Sequence, residues 1–105
     1  MNRTSLVLLM SIAYSTAAFA DYFDGNDLKK LIDSERPQDI GMFRGYVAGV
    51  QDFNNGVLFC VNENVKLSQS AAIVQKYFSE NPQTWHLPAK QLVVNALQKV
   101  FHCKK

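Results

Sequence analysis

The stretch from residue 41 to residue 60 constrains the fold most, because its apolar residues recur at the period of an α-helix. One helical stripe carries Ile40, Phe43, Val47, Val50 and Val57, with Tyr46 and Phe53 beside it. We predict a long helix from about residue 38 to residue 59. The triplet at residues 54–56, Asn-Asn-Gly, offers an alternative end in a left-handed cap. The apolar residues that follow it favour continuation.

Three glycines, Gly41, Gly45 and Gly49, recur every four residues inside this predicted helix. Each glycine in a helix interior costs roughly 0.5–1 kcal/mol relative to alanine. Their repetition therefore needs a structural reason, and close packing of another backbone would supply one. Two interpretations remain open. The first, which we favour, is packing within the subunit; the second is the contact face of a homodimer, to which Tyr46 would also belong.

The first twenty residues have the composition of a cleaved secretory signal peptide. Arg3 supplies a positive start, residues 6–13 an apolar run, and Ala18-Phe19-Ala20 a cleavage site. The apolar run is too short for a good transmembrane helix, and no later stretch is hydrophobic enough to span a bilayer. We therefore predict a signal peptide at residues 1–20 and one exported domain at residues 21–105, without membrane attachment after cleavage.

The two cysteines of this small exported chain, Cys60 and Cys103, indicate a disulfide bond more than two thiols. The chain-entropy model gives about 4 kcal/mol of stabilisation for closing a loop of about 44 residues. A small secreted hydrolase would instead need one cysteine free beside His86 or His102. A metal site at His102 and Cys103 is weakly supported, because two ligands lack a second pair at useful spacing.

Charge and motifs exclude further classes. The mature chain contains ten basic and nine acidic residues, and no basic block is longer than Lys104-Lys105, so nucleic-acid binding is not indicated. Neither paired carboxylates for hydrolysis nor a phosphate-binding glycine loop can be recognised. We therefore expect no catalytic residues, no cofactor and no bound metal.

Three further helices are predicted around the central one. A short helix begins at Asp24 or Asn26 and ends before Pro37, and a third begins at the N-cap Ser68 and ends at Pro82. A fourth has Pro88 in its first turn. The apolar stripe of the third helix is Leu67, Ala71, Val74 and Phe78, and that of the fourth is Ala89, Leu92, Val93, Ala96, Val100 and Phe101. The prediction is an all-α fold, a small single-domain bundle of about four helices with one disulfide.

The connection at residues 80–87 carries the single tryptophan, Trp85, followed by His86, between two prolines. Aromatic anchors dominate the binding energy of protein interfaces, so this rigid loop is a candidate contact surface. The alternative is that Trp85 folds back to cap the small core.

Several motifs taken together resemble a known exported family. They are GYVAGVQD, the cysteine after FNNGVLF, and VKLSQSAAIVQKYFSENPQTWHLPAKQLVVNALQKVFHC. In order and spacing they are similar to the Rap/Tai immunity proteins of bacterial type VI secretion systems. They are most similar to the Tai class, which neutralises peptidoglycan amidases. One departure is Phe43, which stands where many relatives carry an additional cysteine.

This resemblance implies a periplasmic all-helical protein, often dimeric, that has no activity of its own. It would bind a type VI secreted amidase and block its Cys-His active-site groove. We assign recognition to the loop at residues 80–87 and to the exposed side of the helix at residues 68–79. The candidate contact residues are Glu80, Asn81, Gln83, Thr84, Trp85, His86, Gln69 and Lys76. A periplasmic acid-stress chaperone is the alternative function, since such proteins are also small, helical and stapled by one disulfide.

Overall fold

Four α-helices make up most of the computed structural model, which describes residues 23–104. They are α1 (Gly25–Asp33), α2 (Pro37–Asn54), α3 (Leu67–Glu80) and α4 (Ala89–Val100), and a short 3-10 helix, Pro82–Thr84, lies between α3 and α4. Within these residues the only β-type pairing consists of isolated bridges. The predicted all-α bundle is confirmed. The predicted signal peptide, residues 1–20, lies outside the described residues.

Two helix starts follow the local sequence, whereas the predicted N-cap Ser68 is wrong: α3 begins at Leu67 with Lys66 as its N-cap, so Ser68 lies in the first turn. At α1, Asp24 is the N-cap: its carboxylate accepts the Asp27 N–H at 3.0 Å, and the Asp27 carboxylate accepts the Asp24 N–H at 3.0 Å. At α2, Pro37 occupies the first turn, where its missing N–H removes no helical hydrogen bond. None of the described helices is both long enough and apolar enough to cross a membrane.

All four helices contribute to one core. Its fully buried apolar residues are Leu28, Phe43, Val47, Phe59, Ala71, Val74, Phe78, Ala89, Leu92, Val93, Ala96 and Leu97. Most of the predicted faces of α3 and α4 are therefore confirmed. Val100, predicted to be buried, is 53% exposed because it is the last residue of α4 and lies beyond the core; Leu67, at the start of α3, is 39% exposed.

The predicted continuation of the second helix to residue 59 is wrong, since α2 ends at Asn54. Gly56 adopts a positive φ of 86° and donates its N–H to the Phe59 carbonyl at 2.8 Å, which turns the chain back. The turn places Phe59 in the core and leaves Val57 75% exposed, although Val57 was predicted to lie on the apolar stripe. The alternative prediction, that the helix ends at the Asn-Asn-Gly triplet, is confirmed.

The favoured interpretation, that the three repeated glycines pack against another backbone within the subunit, is also wrong. No described atom outside their own helical surroundings lies within 4 Å of a Cβ built on Gly41, Gly45 or Gly49, and all three are exposed. The close approach occurs at Gly25 instead, where an added Cβ would lie 2.5 Å from Leu92 Cδ1 and 2.7 Å from the Trp85 carbonyl oxygen.

The predicted disulfide between Cys60 and Cys103 is present, with their Cα atoms 4.8 Å apart. The Cys60 N–H also donates to the Phe101 carbonyl at 2.9 Å. These two links join the segment after α2 to the end of α4. The disulfide closes a covalent loop that contains α3, the connection with Trp85 and α4.

Candidate functional site

The connection between α3 and α4 is held by its own hydrogen bonds. The Asn81 amide donates to the Tyr77 carbonyl at 2.9 Å, and the Thr84 hydroxyl donates to the Asn81 carbonyl at 2.8 Å. Pro82 fixes the backbone at the start of the 3-10 helix. Two of the predicted contact residues, Asn81 and Thr84, are therefore half-buried groups that shape the loop.

Trp85 lies across the top of the core. Its indole N–H donates to the Phe78 carbonyl at 2.9 Å, and the Lys29 ammonium sits 5.2 Å from the ring centroid. The ring is half-buried and packs against the core cluster. The alternative that Trp85 caps the core therefore describes its position, and little of the ring remains available to a partner.

The same connection is bound to α1 through its backbone. The Trp85 carbonyl accepts the Asn26 N–H at 2.9 Å, and the Leu87 carbonyl accepts the Gly25 N–H at 2.9 Å. Because both acceptors receive the otherwise unpaired N–H groups at the start of α1, the loop and this helix stabilise each other. The loop is thus ordered before any partner arrives.

Three predicted contact residues of this connection have exposed side chains: Glu80, Gln83 and His86. Lys76, one turn earlier on α3, is also exposed. Gln69 is not part of this group, since at a rise of 1.5 Å per residue it lies about 16 Å from Glu80 along α3. Its side-chain oxygen accepts the Lys66 N–H at 2.7 Å, so Gln69 caps the start of α3.

The exposed side of α2 forms a second surface, which we call the glycine face. Its floor is Gly41, Gly45 and Gly49, and beside the floor stand Met42, 59% exposed, and Phe53, 86% exposed. Next to Phe53, α2 and Lys90 of α4 enclose a shallow depression of about 450 Å³. The face is apolar over most of its length.

Tyr46 borders this depression and belongs partly to the interior. Its ring packs against Phe23, with the ring centroids 5.2 Å apart. Burial disfavours the phenolate and raises the pKa of Tyr46 above the ordinary value of 10.0. Tyr46 therefore links the glycine face to the core as a neutral ring.

The disulfide removes the thiol chemistry considered from the sequence. Both cysteines of the chain are bonded to each other, so neither is a free nucleophile for His86 or His102, and the hydrolase alternative is contradicted. Among residues 23–104, no group of three or more His, Cys, Asp or Glu side chains is arranged to hold a metal ion.

Sequence reasoning missed two positions that shape the site. Gly25 permits α1 to approach the Trp85 backbone, and its only sequence signal is its place directly after the N-cap Asp24. Lys29 covers the Trp85 ring from one turn further along α1. Both contacts depend on α1 packing beside the loop, and no local sequence pattern predicts that packing.

Comparison with known proteins gives one result for almost the whole described chain. The family model of the Rap1a immunity proteins matches residues 24–103. No curated protein sequence matches the chain. The matched segment begins at the N-cap of α1 and ends at Cys103, so it contains all four helices, the loop with Trp85 and both cysteines.

Proposed function

Because the chain belongs to the Rap1a immunity protein family, we propose that it is a periplasmic immunity protein of a type VI secretion system. It binds a secreted cell-wall amidase, a cysteine peptidoglycan endopeptidase, and blocks its Cys-His groove. It thereby protects the producing cell and its siblings from cleavage of peptidoglycan. The protein itself needs no cofactor and catalyses no reaction in this role.

The observation that carries this proposal is the ordered loop after α3. Hydrogen bonds within the loop and to α1 fix its backbone, while Glu80, Gln83 and His86 remain exposed. A loop that is ordered in the free protein loses little conformational entropy when it enters a groove. The exposed amide and imidazole of Gln83 and His86 offer hydrogen bonds to polar groups of an active site.

The test screens purified type VI secreted cysteine amidases for one that the wild-type protein inhibits, and it measures the digestion of purified peptidoglycan by that amidase. Inhibition of none of them would contradict the proposal. We expect the double variant Gln83→Ala/His86→Ala to inhibit about tenfold less well or worse, as for central contacts of an interface. The control is Gln38→Ala, an exposed residue of α2. Trp85→Ala is a poor probe, because it removes a core-packing ring. Full inhibition by the double variant would place the contact elsewhere on the molecule.

We further propose that the glycine face is the contact surface of a homodimer. Three glycines destabilise α2, and no close packing within the described chain compensates for that cost. A two-fold dimer places the same patch of both subunits in contact, and a glycine floor lets the backbones approach closely. The exposed Phe53 of each subunit then has the depression beside Gly45 and Gly49 to fill.

Analytical ultracentrifugation tests the dimer. Gly45→Arg should give a monomer with an unchanged helical spectrum, because the added side chain has open space in the single subunit. The matched control is Gln75→Arg, which adds the same side chain at an exposed position of α3 outside the glycine face. A wild-type protein that is monomeric at micromolar concentration would contradict the proposal. Dimer loss with dye binding at pH 3 in the wild type would favour the acid-stress chaperone.

A further inference from the structure

A groove between α3 and α4 lies beside the loop, with which it shares Glu80, and it shares no residue with the depression of the glycine face. Its smaller part, about 280 Å³, is lined by Tyr77, Ala96, Ile73 and Val100, among others. A neighbouring depression is lined by Tyr77, Asn95, Gln98, Lys99 and His102. Because Tyr77 and Lys99 line both depressions, we treat them as one surface, the α3/α4 groove.

The groove is lined by basic side chains. Lys76 and Lys99 line it, and the Lys99 ammonium lies 5.6 Å from the Tyr77 ring centroid. Glu80 is the one carboxylate that borders its smaller part. The two ion pairs found among residues 23–104 join Lys29 to Asp33 and Arg36 to Asp39, far along the chain from this groove.

Charge is divided unevenly between the two halves of the described chain. Residues 23–63 contain seven carboxylates and four basic side chains, whereas residues 64–104 contain five lysines and a single carboxylate. The second half, which includes α3 and α4, therefore carries an excess of positive charge. A basic surface of this kind attracts ligands of opposite charge and speeds their encounter.

We propose that the α3/α4 groove binds an acidic segment of a partner protein, in which carboxylates flank an apolar side chain. The carboxylates meet Lys76 and Lys99, and the apolar side chain packs on Tyr77 and Val100. Ala96, which lines the groove, is buried, so a peptide side chain that enters the groove fits this surface better than a flat lipid surface does. This inference goes beyond the proposed function, since it concerns ligand chemistry and does not depend on the partner being an amidase.

The test is fluorescence anisotropy with a rhodamine-labelled heptapeptide that has two carboxylates on each side of one phenylalanine. We expect binding to the wild-type protein at about 20 mM salt that weakens by about 150 mM salt, because screening grows with ionic strength. Lys76→Gln and Lys99→Gln should each weaken binding about two- to fivefold. The matched control is Lys66→Gln, which makes the same charge change in the same half of the chain outside the groove.

Four results would overturn the proposal. The first is that the acidic peptide fails to bind at low salt. The second is that the same peptide with amides in place of carboxylates binds equally well. Lys66→Gln weakens binding as much as the groove variants, which would mean that only net charge matters. The protein binds anionic phospholipid vesicles through Lys76 and Lys99 and ignores the peptide. Because the assay contains no amidase, any of these results leaves the proposed inhibition of the amidase standing.

Discussion

Gly25 begins α1 directly against the loop that carries Trp85, and a Cβ there would lie 2.7 Å from the Trp85 carbonyl oxygen. We predict that Gly25→Ala lowers the free energy of unfolding by about 1–3 kcal/mol, because a backbone atom must move to admit the methyl group. In the separate subunit, below the concentration at which the proposed homodimer forms, Gly45→Ala should raise it by about 0.5–1 kcal/mol, because the added Cβ meets open space in a helix. Urea unfolding of both variants measures the difference. A Gly25→Ala protein as stable as the wild type would show that α1 shifts freely.

Tyr46 makes the stability of the folded protein depend on pH in the alkaline range. Burial raises its pKa in the folded protein, so the folded state keeps the proton where the unfolded state has lost it. The stability from this group is present below the unfolded value near pH 10.0 and is lost as pH rises toward the folded pKa. We predict that the wild type loses more thermal stability than Tyr46→Phe between pH 9 and pH 11. Parallel losses in the two proteins would contradict this.

At the scale of the element, the end of α2 depends on one backbone conformation. Gly56 has a φ of 86°, and this turn brings Phe59 into the core. We predict that Gly56→Ala lowers the free energy of unfolding by about 1–2 kcal/mol, because L-residues with a side chain disfavour this region. Asn tolerates the left-handed conformation better, so Gly56→Asn should cost less. Equal losses for the two variants in urea unfolding would point to a cause other than backbone strain.

The helices could be predicted from sequence wherever a local signal marks their ends. Asp24 caps α1, Pro37 begins α2, and Pro82 and Pro88 bound the connection after α3. The end of α2 could not, because apolar residues at 57–59 are compatible with a helix and with a turn that buries Phe59 alone. The predicted role of the three glycines was wrong for a related reason. A close approach is a property of two segments, and the pattern at Gly45 shows only one of them.

The candidate site, too, could be predicted from the sequence only in part. Two prolines around Trp85 predict a rigid loop, and in the structure its backbone is hydrogen-bonded to α1. Which of its side chains remain exposed depends on α1, whose Lys29 covers the indole ring. The separation of Gln69 from the loop follows from helix length alone and could have been calculated. Its capping of α3 needed the observed start of the helix at Leu67.

At the scale of the whole molecule, the disulfide joins the middle of the chain to its end. Cys60 and Cys103 are 43 positions apart, and the loop they close contains half of the helices. We predict that Cys60→Ser/Cys103→Ser lowers the free energy of unfolding by about 2–4 kcal/mol. That is a large share of the roughly 5–15 kcal/mol typical of a folded domain. Urea unfolding of the double variant, compared with wild type before and after reduction, measures it. Unchanged stability on reduction would show that the helices hold together without the bond.

Trp85 is the single tryptophan of the chain, and it contacts three segments at once: the carbonyl of Phe78, the ammonium of Lys29 and, through its backbone, Asn26. The protein thus carries an intrinsic fluorescent label at the junction of α1, α3 and the proposed recognition loop. A partner that merely covers the loop would leave the indole hydrogen bond and the emission maximum unchanged. A partner that pulls the loop away from α1 would expose the ring to water and shift its emission to longer wavelength. Emission spectra of the complex therefore distinguish rigid docking from remodelling without any added probe.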